Sequence, residues 1–167
     1  MKGSKNYTTW QLIVLVSLRF LIGWHLLFEG VSKLLIPNWT SAGFLKESQW
    51  ILSGFSNWVL SNDGVLQVVD FMNTWGLIAI GLGLMLGLFT RLSAFAGAFL
   101  LFIYYLNNPP LMGLEYSLPS EGNYLIVSKT LIEAIALLVL AGFPTGSVFG
   151  LDIFVSRFMK SKKQKEE

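Results

Sequence analysis

Four apolar runs decide what this chain can become: residues 10–36, 75–89, 92–106 and 124–143, the second and third parted only by Thr90 and Arg91. As helices rising ~1.5 Å per residue, each reaches or nearly reaches across the ~30 Å hydrocarbon layer of a bilayer. The second and third runs are the shortest, so the second helix is expected to begin earlier, near residues 69–73. Prolines, which cannot continue a helix, close three of them: Pro37 after the first, Pro109 and Pro110 after the third, Pro144 after the fourth. The expected fold is all-α, a polytopic bundle of four transmembrane helices near 10–35, 69–89, 91–107 and 123–143. It forms a single domain, 1–167, with no detectable internal repeat.

Composition points the same way. Hydrophobic residues make up 53% of the chain, charged ones 13%, and mean hydropathy is +0.59, where soluble domains carry about 25% charged residues. A soluble fold of 167 residues cannot hide that much apolar surface. The first run is also too long for the core of a signal peptide and lacks an A-x-A cleavage site.

Lysine and arginine set the orientation, because they accumulate on the cytoplasmic side of short loops. Lys2 and Lys5, Arg91 in the tight turn, and Arg157, Lys160, Lys162, Lys163 and Lys165 in the basic tail 155–167 all fall on one side of such a bundle. The other side holds two longer loops in which Lys46 is the one basic residue against Glu47, Asp63, Glu115 and Glu121. Both termini are therefore expected in the cytoplasm, with the chain a multi-pass protein of a bacterial inner membrane. The outer segment 39–66 carries Phe44, Leu45, Trp50, Ile51, Leu52, Phe55, Trp58 and Val59 at roughly helical spacing, which suits short helices at the outer surface or capping the bundle. Its tryptophans read as interface anchors.

Small residues indicate how helices approach. Gly83 and Gly87 in "GLGLMLG", with Ser93, Ala94, Gly97 and Ala98 in the next run, suit a tight antiparallel hairpin of the second and third helices.

Into the apolar background the first helix introduces charges, in "RFLIGWHLLFEGVSKLL". At ~100° per residue, with Arg19 at 0°, His25 falls near 240°, Glu29 near 280° and Lys33 near 320°, so they share a face that should look inward. The fourth helix carries Lys129 and Glu133 one turn apart, near Ser128 and Thr130. A charge near the bilayer centre costs at least ~2.5 kcal/mol on insertion scales, so these groups need partners or water. With Ile36 and Asn123 level at the outer end, Glu29 and Lys129 both lie ~10 Å down, and His25 and Glu133 both ~15 to 17 Å down, which makes two cross-helix pairs plausible. Arg19, ~25 Å down, is expected to snorkel toward the cytoplasmic headgroups, and Lys33 to pair with Glu29 or reach outward.

Two readings of these groups stand. The pairs either hold the first helix to the fourth, or line a polar cavity that takes a quinone headgroup or small anion and relays protons. The absence of cysteine excludes disulfide relays, Cys-ligated zinc or iron–sulfur clusters and c-type haem, and the single histidine excludes bis-histidine haem within one chain. No metal site, intrinsic cofactor or nucleic-acid partner is expected, and no catalytic residue can be assigned.

"LRFLIGWHLLFEGVSKLL", "GLFTRLSAFAG" and "GNYLIVSKTLIEAIALLVLAG" resemble the DoxX family of small four-helix membrane proteins. Within it they are similar to the branch related to DoxD, the membrane subunit of thiosulfate:quinone oxidoreductase. The family's Arg, Gly and G-x-x-K-L elements correspond to Arg19, Gly23 and 30–34, and its last-helix Asn and Glu to Asn123 and Glu133. "FLIGWHLLFEG", "WTSAGFL", "YYLNNPP" and "FPTG" are similar to forms in Bacteroidetes-type members, so the resemblance spans nearly the whole chain. It implies a quinone-linked oxidoreductase subunit in some branches and an accessory, partner-stabilising subunit in others. The expected site residues are Arg19, His25, Glu29, Lys33, Asn123, Lys129 and Glu133. The expected partners are the lipid bilayer and another membrane or periplasmic protein, or further copies of the chain.

Overall fold

The computed structural model describes residues 7–111, 113, 114, 116 and 123–154. Lys2, Lys5, Glu115, Glu121 and the basic stretch 155–167 lie outside the described residues, and of Asn123 only the backbone is described.

The chain is mostly helical. α1 (Thr9–Leu35) is followed by two short helices, α2 (Ala42–Lys46) and α3 (Ser53–Leu60), then by α4 (Asp63–Leu86), α5 (Thr90–Asn107) and α6 (Lys129–Gly142). α1 and α4 are long and apolar enough to cross a membrane. Two helices differ from the sequence reading in their bounds. The second helix begins at Asp63 rather than near 69 and ends at Leu86 rather than 89. The fourth begins at Lys129 rather than 123, because Asn123–Tyr124 (β1) and Val127–Ser128 (β2) pair antiparallel in a small hairpin. Leu125 in its turn has φ +59°, a conformation that disfavours a side chain. Tyr105 holds the turn by donating its hydroxyl to the Ile126 carbonyl at 2.7 Å.

Local chemistry explains the ends. Thr8 caps α1 by accepting from the Gln11 amide at 3.3 Å, while the Gln11 side chain accepts from the Thr8 amide at 3.0 Å, a reciprocal arrangement that satisfies two otherwise orphaned donors. Pro37 forces Ile36 into extended backbone and stops the helix. Gly87 ends α4 in the left-handed region at φ +64°, with the Leu88 amide reaching back to the Gly83 carbonyl at 2.9 Å, as helix-terminating glycines do. Ser128 caps α6 through the Leu131 amide at 3.2 Å.

α1 lies along α4, α4 turns tightly into α5, and α5 lies along α6, whereas α1 and α6 touch only slightly. The interior is aliphatic: Leu26, Leu77, Leu84, Leu137 and Leu140, with Ala94, Ala98, Ala134 and Ala141 between the backbones. The outward faces are apolar too, with Trp10, Leu21, Phe28, Phe71, Met72, Leu92, Phe99, Ile132 and Ile135 all exposed. Gly23 and Gly81 let α1 and α4 approach backbone to backbone, since a Cβ on Gly81 would lie 2.5 Å from the Leu27 nitrogen and 2.7 Å from the Gly23 carbonyl oxygen. The small-residue reading of this stretch therefore extends to Gly81.

α2 and α3 cap the end of the bundle where α1 and α5 finish and α4 and α6 begin. Asp70 of α4 accepts from both the amide and the hydroxyl of Ser41. Asn107 accepts from the buried Ser56 hydroxyl at 2.8 Å and donates to the Phe44 carbonyl at 3.1 Å, joining α5 to α3 and α2. Asn107→Leu strands the Ser56 hydroxyl and the Phe44 carbonyl, and is expected to cost about 2 to 3 kcal/mol. Equilibrium unfolding in detergent measures the loss, and a cost under about 1 kcal/mol would mean that water reaches both groups.

Candidate functional site

Beneath the cap, α1 supplies a ladder of polar side chains one helical turn apart, His25, Glu29 and Lys33. α6 supplies Glu133 opposite the first of them. The His25 Nδ1 and Glu133 Oε1 lie 2.8 Å apart, with the His25 side chain 54% and the Glu133 side chain 17% exposed. One turn outward, Lys33 Nζ donates to Glu29 Oε2 at 3.1 Å, and it lies 5.4 Å from the centre of the Trp39 ring. Of the two cross-helix pairs expected from depth, one, His25–Glu133, is therefore present.

The second is not. Lys129 is exposed, makes no ion pair among the described residues and lines neither cavity described below, whereas Glu29 pairs within its own helix. Equal depth does not suffice there: Glu29 is taken up by Lys33 on its own helix, and Lys129, the first residue of α6 after the 123–128 hairpin, is exposed. Asn123 itself sits in β1.

Two cavities adjoin the ladder. One, of about 200 Å³, is bounded by His25, Glu29, Lys33, Tyr104, Thr130 and Glu133, with Leu26, Leu77 and Leu101 as its apolar floor. The other, of about 210 Å³, runs under the cap between Glu29, Lys33, Trp39, Ser41, Phe44, Asn73 and Tyr104. They meet at Glu29, Lys33 and Tyr104. Neither the Tyr104 hydroxyl nor the Asn73 carbonyl oxygen, both buried, makes a well-aligned hydrogen bond among the described residues. The charges are compensated in pairs, so the cavities suit neutral polar molecules, water or the exchange of protons.

Tyr104, Asn73, Trp39, Ser41 and Phe44 were not picked out by charge. For two of them the signal is periodic: Asn73 stands four residues before Leu77, and Tyr104 three after Leu101, each in register with a buried leucine on its own helix.

Arg19 belongs to a different site. It is 2% exposed and does not snorkel toward the cytoplasmic end of the helix as expected. Its guanidinium donates to the Thr145 hydroxyl at 3.0 Å and the Phe149 carbonyl at 2.7 Å. Nearby, the Asp152 carboxylate accepts from the amides of Phe89 at 2.7 Å and Thr90 at 3.1 Å, and its charge acts on Arg19. Backbone bonds from Leu151 to Leu86 and from Asp152 to Gly87 complete the knot. It fastens the segment after α6 to the α4–α5 turn and to α1. The snorkelling expectation fails because residues 144–152 fold back over Arg19 and supply acceptors there.

Comparison of the chain with protein-family models, curated proteins and solved structures gave no match.

Proposed function

We propose that this chain is a DoxX-like integral membrane protein of the bacterial inner membrane. In this reading α1, α4, α5 and α6 form the transmembrane bundle, its termini face the cytoplasm, and it serves as an accessory, partner-binding subunit of a membrane complex with a polar intramembrane site between α1 and α6. The exposed apolar side chains on all four helices support the lipid setting, since soluble monomers rarely present contiguous apolar surface on such a scale. Arg91 stands at the end opposite the cap, in keeping with basic residues on the cytoplasmic side.

The observation that carries the functional reading is the His25–Glu133 pair in the wall of a capped cavity. A charged pair in hydrocarbon is expensive, and here it joins the two helices that otherwise barely meet. Affinity purification in mild detergent, followed by mass spectrometry of proteins and small molecules, tests the proposal. A stoichiometric membrane or periplasmic protein should copurify with the wild type and fall away from Glu133→Gln while the variant keeps its elution profile. Retention of a small molecule with no protein partner would overturn it.

A second reading, a quinone-binding subunit of a thiosulfate:quinone oxidoreductase-like complex, draws on the junction of the two cavities at Glu29, Lys33 and Tyr104. Each alone is smaller than the ~300 Å³ at which ligand pockets usually begin, so a ring would need both. Glu29→Gln would then abolish quinone retention without disturbing the helices, as read from the ultraviolet spectrum of an organic extract. Equal quinone content in wild type and variant would rule that role out.

A further inference from the structure

The slight contact between α1 and α6 leaves a seam along the bundle. On its half remote from the cap it opens into an apolar groove of about 580 Å³ between Trp10, Val14 and Leu15 of α1 and Val139 and Phe143 near the end of α6. On the other half stands His25. From Val14 to His25 is eleven residues along α1, ~16 Å and only ~20° around it, and from Phe143 back to Glu133 is ten, ~15 Å, so His25 stands on the groove's own face of α1 about three turns nearer the cap.

Tyr7 and Gln11 are the polar members of the groove's lining, at its far end, and His25 is the polar feature on the half nearer the cap. Its Nδ1 faces Glu133, its Nε2 makes no hydrogen bond among the described residues, and the side chain is half exposed at the seam. In the membrane setting proposed above His25 lies ~16 Å from the outer end of α1, near the middle of a ~30 Å hydrocarbon layer. An acyl tail offers no hydrogen bond at that depth, and a headgroup does not reach it. A protein helix can bring one. Neutral imidazole with its proton on Nδ1 needs a donor at Nε2, whereas imidazolium needs an acceptor. A hydroxyl or amide side chain satisfies either state.

We infer that the α1/α6 seam docks a transmembrane helix of a partner protein, whose apolar side chains fill the groove between Val14 and Val139 and whose Ser, Thr, Asn or Gln bonds His25 Nε2. This rests on the membrane and partner-binding reading above and names the surface that such a partner uses. Polar side chains bridging membrane helices are a recognised source of association, and small in energy, so the packing and the hydrogen bond are both required.

Site-specific photo-crosslinking of the full chain in its native membrane tests this, with the photoreactive residue placed at Val14, at Phe99 on the far side of α5, or at Ile51 in the cap. From Val14 the expected adduct is a peptide from a hydrophobic, membrane-length segment of another protein carrying a hydroxyl or amide residue. The Phe99 probe should not give it. His25→Leu should cut the yield about three- to tenfold and His25→Gln should restore most of it. If His25→Leu does not fold, Val139→Trp, which fills the groove and leaves His25 in place, should abolish the adduct. Adducts from Val14 to lipid only, to a second copy of this chain, or of unchanged yield in both His25→Leu and Val139→Trp would overturn the inference. A protein adduct from Ile51 but none from Val14 would overturn it while leaving the partner-binding reading standing; no protein adduct from any position would overturn both.

Discussion

Arg19→Met is expected to destabilise the protein by about 2 to 4 kcal/mol, because two acceptors, the Thr145 hydroxyl and the Phe149 carbonyl, lose hydrogen bonds from a charged donor. Methionine keeps much of the length and volume of the side chain, so the loss reports polar chemistry rather than a cavity. The Thr145 hydroxyl, wholly buried, and the Phe149 carbonyl lose their donors, and Asp152 keeps its two amide donors but loses the nearby cation. Arg19→Lys should recover little, since an ammonium cannot present the planar fork that reaches two acceptors in different directions. Gly87 reinforces the point: a Cβ there would sit 3.0 Å from the guanidinium and 2.8 Å from the Gly150 Cα, so the turn is shaped around the arginine. Denaturant unfolding in detergent, followed by tryptophan fluorescence, reads the effect. A loss below about 1 kcal/mol would mean that the knot contributes little to the fold.

That knot also marks the limit of what the chain discloses by its spacing. Helix number, the tight α4–α5 turn and the His25–Glu133 pair follow from run length, from glycine and from counting turns, because these depend on neighbours a few residues apart or on two helices of known rise. Arg19 with Thr145 and Phe149 is a contact between residues more than 120 positions apart, formed by a fold-back after Pro144 that no periodicity encodes. The α6 start was misread for a similar reason. "NYLIVS" is as apolar as a helix, but Tyr105 and the pairing of Tyr124 with Val127 hold it as a hairpin, and Lys129 becomes the exposed first residue of α6. The cavity walls were legible in part: the charged residues announced themselves, whereas Tyr104 and Asn73 had to be found by their register with Leu101 and Leu77.

Two glycines five residues apart on α4 should respond to the same substitution with opposite signs. A methyl group on Gly76 meets nothing within 4 Å, so Gly76→Ala should stabilise the helix by up to about 1 kcal/mol, the ordinary propensity difference. On Gly81 the same methyl group falls 2.5 Å from the Leu27 nitrogen and 2.8 Å from its Cα. Those atoms are backbone and cannot turn aside, so α1 must move as a body. Gly81→Ala should therefore cost about 3 kcal/mol or more, at or beyond the upper end of overpacking penalties, and Gly81→Val should prevent assembly. Equal, small effects at the two positions in the same unfolding assay would refute the backbone contact. The consequence reaches the site, because α1 carries His25, Glu29 and Lys33, while Glu133 and Tyr104 belong to the α5–α6 pair. Displacing α1 from α4 shifts one wall of both cavities relative to the other. If the proposed partner-binding role holds, Gly81→Ala should thus weaken partner retention even though Gly81 lines neither cavity, and Gly76→Ala should leave it intact.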